Sequence, residues 1–109
     1  MPTAYLGEFE QQLLLVILRL GAGAYGVEIA RELEQQTGRR VSRGALYATL
    51  DRLERKGLVR SWVGEPTAQR GGRRRKYYAL RPAGAAALRQ AYHAFTAMAS
   101  GLEKRLEAK

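Results

Sequence analysis

The chain contains no cysteine and no asparagine, and its only histidine is His93. Without cysteine there are no disulfides, thiolate metal sites or cysteine nucleophiles. With one histidine there is no site built on a pair of imidazoles, and neither a metal nor a cofactor is expected. Acids are scarce beside bases, 10 Asp or Glu against 19 Lys or Arg, which leaves a formal net charge of +9. Long apolar runs are also missing. The longest, residues 13–18, falls far short of the roughly 20 residues that span a bilayer. The first ten residues hold Glu8 and Glu10 and no Lys or Arg, so no secretory signal is expected. A length of 109 residues, 46% of them hydrophobic, suits one domain with a modest core. The expectation is a small, basic, cytoplasmic protein.

The positive charge is unevenly placed. Residues 1–38 carry two arginines against five acids, residues 39–81 carry thirteen bases against three acids, and residues 82–109 carry four bases against two acids. The middle segment alone is therefore +10, more than the whole chain. A basic block inside a folded pattern points to a polyanion surface. Fifteen of the nineteen bases are arginine, whose planar fork fits phosphates and guanine edges.

Periodicity gives the elements. Residues 7–20 read as a helix with Gly7 as N-cap and two acids in the first turn, where the helix dipole favours them. Phe9, Leu13, Val16 and Leu20 follow helical spacing, but Leu14, Leu15, Ile17 and Leu18 make the helix apolar nearly all round, as a helix covered on more than one side is. A second helix is expected over 25–36 and a third over 43–56, with Ser42 as N-cap and Leu46, Leu50 and Leu53 as its inward stripe. Two strands follow, 58–63 and 74–80, joined by a turn-rich segment. A long last helix is expected over 82–106, opening on Pro82, which is tolerated in the first turn. Leu88, Phe95 and Leu102 recur every seven residues, with Ala91, Tyr92, Met98, Ala99 and Leu106 beside them.

Three helices and a two-stranded basic hairpin in this order make a winged helix-turn-helix, mainly α with a small β-hairpin. Residues 1–81 would be the DNA-binding unit and residues 82–109 a C-terminal dimerisation helix. The third helix would enter the major groove by its N-terminal end. Arg43 could fork onto guanine, Gly44 would let the backbone approach closely, and Tyr47 could reach a phosphate or flank the apolar stripe as core. Ser42 and the first-turn amides would hold a phosphate. In the hairpin, Arg70, Arg73, Arg74, Arg75 and Lys76 crowd around Gly71-Gly72. Like charges so close repel one another and make sense beside phosphates or a narrow minor groove. Trp62 is expected to pack at the base of this wing. Leu88, Tyr92, Phe95 and Leu102 would form a two-fold seam, and the dimer would read a palindrome with half-sites roughly 34–36 Å apart.

One motif points elsewhere and fails on context. Gly21, Gly23 and Gly26 match the dinucleotide-binding pattern G-x-G-x-x-G, but no acid-ended strand follows. The glycines read better as a helix stop and a turn. His93 has no acid or hydroxyl motif beside it, and no catalytic constellation can be assembled, so an enzyme is not expected. The rival reading is a basic RNA- or ribosome-binding winged helix, which would bind folded RNA by shape and have no palindromic site. A protein-docking adaptor is a third, against which the +10 segment speaks.

The stretches LGEFEQQLLLVILRL, AYGVEIARELE, SRGALYATLDRLERKGLV and GGRRRKYYALRPAGAAAL together resemble the PadR family of bacterial transcriptional regulators, in its short form with one C-terminal helix. The resemblance spans about residues 6–90. It implies a dimeric DNA-binding protein, generally a repressor and often responsive to small phenolic or aromatic compounds. It places DNA contacts on Ser42, Arg43, Gly44, Tyr47 and residues 73–76, and dimer contacts on the last helix. The chain departs from the family pattern at Ala24, where His is common, at Ala48, where Pro is frequent, and at Arg81, where a Thr usually caps the last helix.

Overall fold

The computed structural model describes residues 5–21, 23–64 and 75–108. Helix α1 (Glu8–Leu20) lies at the centre and touches every later helix of the core. After it come strand β1 (Ala24–Tyr25), α2 (Gly26–Thr37), α3 (Arg43–Arg55), β2 (Val59–Val63), β3 (Lys76–Leu80), α4 (Pro82–Ala99) and α5 (Glu103–Glu107). The caps follow the sequence: Gly7 precedes α1, and the Ser42 hydroxyl accepts from the Ala45 amide at 3.1 Å to cap α3. Such a cap is worth about 1 kcal/mol. Arg81 precedes α4 with no side-chain cap.

The expected hairpin forms between β2 and β3; the structure extends that expectation and corrects another. The wing is not a two-stranded hairpin alone. Ala24 and Tyr25 form a third strand, and the antiparallel order is β1-β3-β2. A two-residue strand leaves no periodicity to read, and only the edge of β3 makes it a strand. The last helix is not continuous to residue 106. It stops at Ala99, and Gly101 takes φ 88°, a left-handed conformation open to glycine and strained for other residues. Leu102 therefore precedes α5 and does not continue the seven-residue repeat of Leu88 and Phe95.

The core is aliphatic. Leu13, Leu14 and Ile17 of α1 meet Ile29 and Leu33 of α2, Leu46, Leu50 and Leu53 of α3, Val59 of β2 and Tyr78 of β3. Ala87 and Leu88 bring the first half of α4 into the same core. Leu88, expected in the dimer seam, is buried within the protomer. The radius of gyration is 15.7 Å, against about 13 Å for a compact chain of this length.

Polar groups also sit inside: the Thr49 hydroxyl donates to the Ala45 carbonyl at 2.8 Å, and Glu10 and Tyr78 are buried beside the aliphatic core. Glu10 shares the buried face of Leu13, Leu14 and Ile17, spaced at three, four and seven residues. The Gly7 amide donates to its carboxylate at 2.9 Å, Lys56 at 2.8 and 3.0 Å, and Arg52 at 3.3 Å. Burial pushes this carboxyl up, but the bonds from Lys56 and Gly7 and the charge of Lys56 outweigh it and hold it below the usual carboxylate range. The cluster ties the start of α1 to the end of α3. Tyr78 is fully buried, and its hydroxyl has no hydrogen-bond partner among the described residues. Burial, then the nearby Asp51, Tyr47 and Glu54, push that hydroxyl up to about 12, so it stays neutral. An unpaired buried hydroxyl costs about 1–3 kcal/mol. Tyr78→Phe, which keeps the ring and removes the oxygen, is expected to stabilise the protein by about 1 kcal/mol in urea unfolding. A fall in the midpoint would mean that the hydroxyl has a partner in solution.

Candidate nucleic-acid interface

The face opposite the inward stripe of α3 starts at its N-cap. Ser42, Arg43 and Gly44 are all exposed. The Arg43 side chain makes no ion pair or hydrogen bond among the described residues. A methyl group added at Gly44 would meet nothing within 4 Å, and its φ is ordinary, so nothing within the fold demands glycine there. Glycine inside a helix costs up to about 1 kcal/mol relative to alanine. The amides of Arg43 and Gly44 precede the first intrahelical donors, Ala45 to Ser42 Oγ and Leu46 to Ser42 O. They remain available to an outside acceptor.

Tyr47 is half-buried against the core. Its ring end lies against Gly26, where any side chain would collide with the phenol. Tyr47 thus locks the start of α2 to α3, and it is the packing half of its double sequence reading that the geometry displays.

Many of the basic residues are already engaged. Arg39 pairs with Glu8 at 3.5 Å, bonds Gln12 at 3.1 Å and lies over Phe9. Arg40 pairs with Glu34, and Arg52 and Lys56 with Glu10. Arg60 lies over the Trp62 ring at 4.4 Å, and Arg75 over Tyr25 at 4.4 Å. The +10 block is therefore partly a set of struts. Arg43 and Arg55 stand outside these pairings, on the recognition-helix candidate itself.

Strand alternation divides the basic run of the wing. Tyr78 of β3 points into the core, and Lys76 shares its parity, with its ammonium 5.8 Å from the Tyr78 ring. Arg75 and Tyr77 point the opposite way. Arg75 and Lys76 therefore flank the strand on opposite faces, which a count of charges conceals. Arg70, Arg73 and Arg74 lie outside the described residues. Trp62 packs at the wing base as expected, stacked on Tyr77 with centroids 5.7 Å apart. Ser61 donates to both Glu54 oxygens at 2.8 Å and fastens β2 to α3.

Away from this face lies an apolar one. Phe95 is 71% exposed and Met98 82%, with Tyr92 and Leu106 also open. On α1, Leu15 and Leu18 are 53% and 58% exposed. A groove of about 330 Å³ runs between the two helices, lined by Leu15, Leu18, Ala85, Leu88, Arg89 and Tyr92. His93 lies exposed beside Tyr92. Among the described residues no group of acidic or histidine side chains could hold a metal ion, and no helix is long and apolar enough to cross a membrane.

Sequence reasoning missed Glu10 as a buried anchor, although its spacing from Leu13, Leu14 and Ile17 was a usable signal. It also missed Gly84, whose place under the Leu58 backbone has no counterpart in periodicity.

Residues 14–90 match the PadR-like family of transcriptional regulators. Solved structures agree in fold. A PadR-like transcription factor from Bacteroides fragilis is 24% identical with a TM-score of 0.73, covering 88% of this chain and 87% of that one. A PadR family transcription regulator from Clostridium difficile is 29% identical with a TM-score of 0.67, covering 88% and 97%. A complex structure of hsRosR is 31% identical with a TM-score of 0.68, covering 92% and 82%. No curated protein matches the chain. With a winged helix fold, an open basic helix start and a family match over most of its length, the chain belongs to the PadR-like family of DNA-binding transcriptional regulators.

Proposed function

We propose that the chain acts as a homodimeric repressor that reads a palindromic operator, with α3 in the major groove and the basic wing on the backbone or in the minor groove. The observation that carries this reading is the open start of α3. Among the described residues Arg43 has no ion pair or hydrogen bond, Gly44 has no neighbour that demands glycine, and the amides of Arg43 and Gly44 have no acceptor, which supports an outside partner for this helix end. In this role Arg43 reads a base edge, Gly44 admits close approach, and Ser42 and the first-turn amides hold a phosphate. The Tyr47 hydroxyl, Arg70, Arg73, Arg74, Arg75 and Lys76 add contacts to the backbone. The partner subunit covers Tyr92, Phe95 and Leu102 of the last helices together with Leu15 and Leu18 and the outer edge of Leu88. Apolar exposure of this extent on a small chain supports an interface. A small aromatic effector would bind at this subunit interface, in the groove beside Tyr92, whose 330 Å³ lies within the range of ligand pockets.

The test is fluorescence anisotropy with the duplex upstream of the protein's own gene, against random duplex and folded RNA as competitors. Arg43→Ala is expected to cost about 1–3 kcal/mol on the cognate duplex and less on random DNA. Equal losses on both would reduce Arg43 to a phosphate contact. Preferential displacement by folded RNA would replace the reading with an RNA-binding one.

A further inference from the structure

The outer face of the small sheet carries a continuous row of aromatic and guanidinium contacts. Tyr25 of β1, Tyr77 of β3 and Trp62 of β2 stand in one line across the three strands, because Tyr25 pairs with Tyr77 and Tyr77 pairs with Trp62 in register. Tyr77 is the middle member. It meets Tyr25 edge-on at 6.0 Å and stacks on Trp62 at 5.7 Å with 21° between the planes. An arginine closes each end, Arg60 over Trp62 and Arg75 over Tyr25, both at 4.4 Å. Four side chains from three strands, and Arg75 just before β3, thus form one ladder. Gly64 leaves room for the Tyr77 ring, since a side chain there would overlap it.

The two ends differ. Arg60 lies along its own strand, two residues from Trp62. Arg75 is the first described residue after the wing tip, and it bridges back to the residue that precedes α2. Its Nε is shielded from water and has no acceptor, and no carboxylate pairs with it among the described residues. A guanidinium held this way has lost part of its hydration without gaining an ion pair. Its terminal nitrogens are the groups left to meet an anion. Its place over the Tyr25 ring restricts the directions the fork can take, which lowers the ordering cost of a contact with phosphate.

We propose that Tyr77 and Trp62 are positioning residues for DNA binding: with Tyr25 they form a rigid aromatic row that presents the Arg75 guanidinium, already oriented, to a backbone phosphate at the root of the wing. This rests on the DNA-binding reading above. Neither Tyr77 nor Trp62 touches DNA in this arrangement, and both act through Arg75.

The salt dependence of duplex binding tests it, because the slope counts phosphate contacts and a loss of stability alone does not move it. Each phosphate contributes about 0.9 to the slope of log K against log salt on duplex DNA. Tyr77→Leu is expected to lower the slope by about 0.9, the same loss as Arg75→Ala, and the double variant to lose no more than either single one. Tyr77→Phe, which keeps the stack, retains the wild-type slope. Trp62 is the only tryptophan, so a change in its emission in Tyr77→Leu reports that the row is broken, and far-ultraviolet circular dichroism confirms the fold. If Tyr77→Leu does not fold, Trp62→Leu takes its place with the same expected slope. A wild-type slope in the folded Leu variant overturns the proposal, as does an additive loss in the double variant. A wild-type protein that binds no duplex overturns the DNA-binding reading and this proposal with it.

Discussion

Phe95→Asp is expected to turn the proposed dimer into folded monomers and to weaken operator binding by about a hundred- to ten-thousand-fold. The size of the effect comes from linkage. Two recognition helices on one rigid body bind their half-sites as a single event, and separated protomers lose that effective concentration. The substitution is well suited to the question because Phe95 is 71% exposed in the protomer. A carboxylate there stays in water in the monomer and costs the single-chain fold little. In a two-fold seam the same carboxylate would be buried among apolar side chains, where an ion without a partner costs several kcal/mol. Light scattering reads the mass, circular dichroism the helix content and anisotropy the affinity. A Phe95→Asp protein that remains a dimer would move the interface away from the second half of α4.

Gly84→Ala carries the largest expected effect on stability, and its sign opposes the usual rule. Glycine to alanine inside a helix normally stabilises by about 1 kcal/mol. At Gly84 the added carbon would overlap the Leu58 carbonyl, which also accepts the Arg81 amide at 2.9 Å. That obstacle is backbone and cannot rotate away. Either α4 lifts from the turn between α3 and β2, taking Ala87 and Leu88 out of the core, or the Arg81 bond is lost. Overpacking of this kind costs about 3 kcal/mol, which exceeds the propensity gain and lowers the melting temperature by roughly 10–20 °C. Gly44→Ala is the control in the same melt. It adds its methyl group to open space and is expected to raise stability by up to about 1 kcal/mol. Equal shifts at the two positions would mean that the contact of α4 with Leu58 is looser than the geometry indicates.

The long elements are legible in the order of residues. The apolar stripe of Leu46, Leu50 and Leu53, the Ser42 cap and the Pro82 start depend on neighbours within a turn or two, and local spacing records them. So does the free start of α3, since Ser42-Arg43-Gly44 is a cap, a base and a missing side chain in sequence order. The family resemblance uses the same local patterns. What spacing cannot record is pairing across distance. Glu10 declares itself as an acid on a buried face, but its partner Lys56 lies 46 residues away. The run of bases at 73–76 reads as one patch, and only the alternation of β3 separates Arg75 from Lys76.

The sequence by itself determined the first three helices, their inward faces, the basic middle segment and the family, because each rests on short-range periodicity or on composition. The tertiary structure alone decided that Ala24 and Tyr25 are a strand, that Arg75 ends an aromatic row, that Tyr47 packs on Gly26, and which of the described arginines are struts and which are free. The physical reason is common to all four: each is a contact between segments brought together by the collapse of the core, and its energy appears only once both partners are in place.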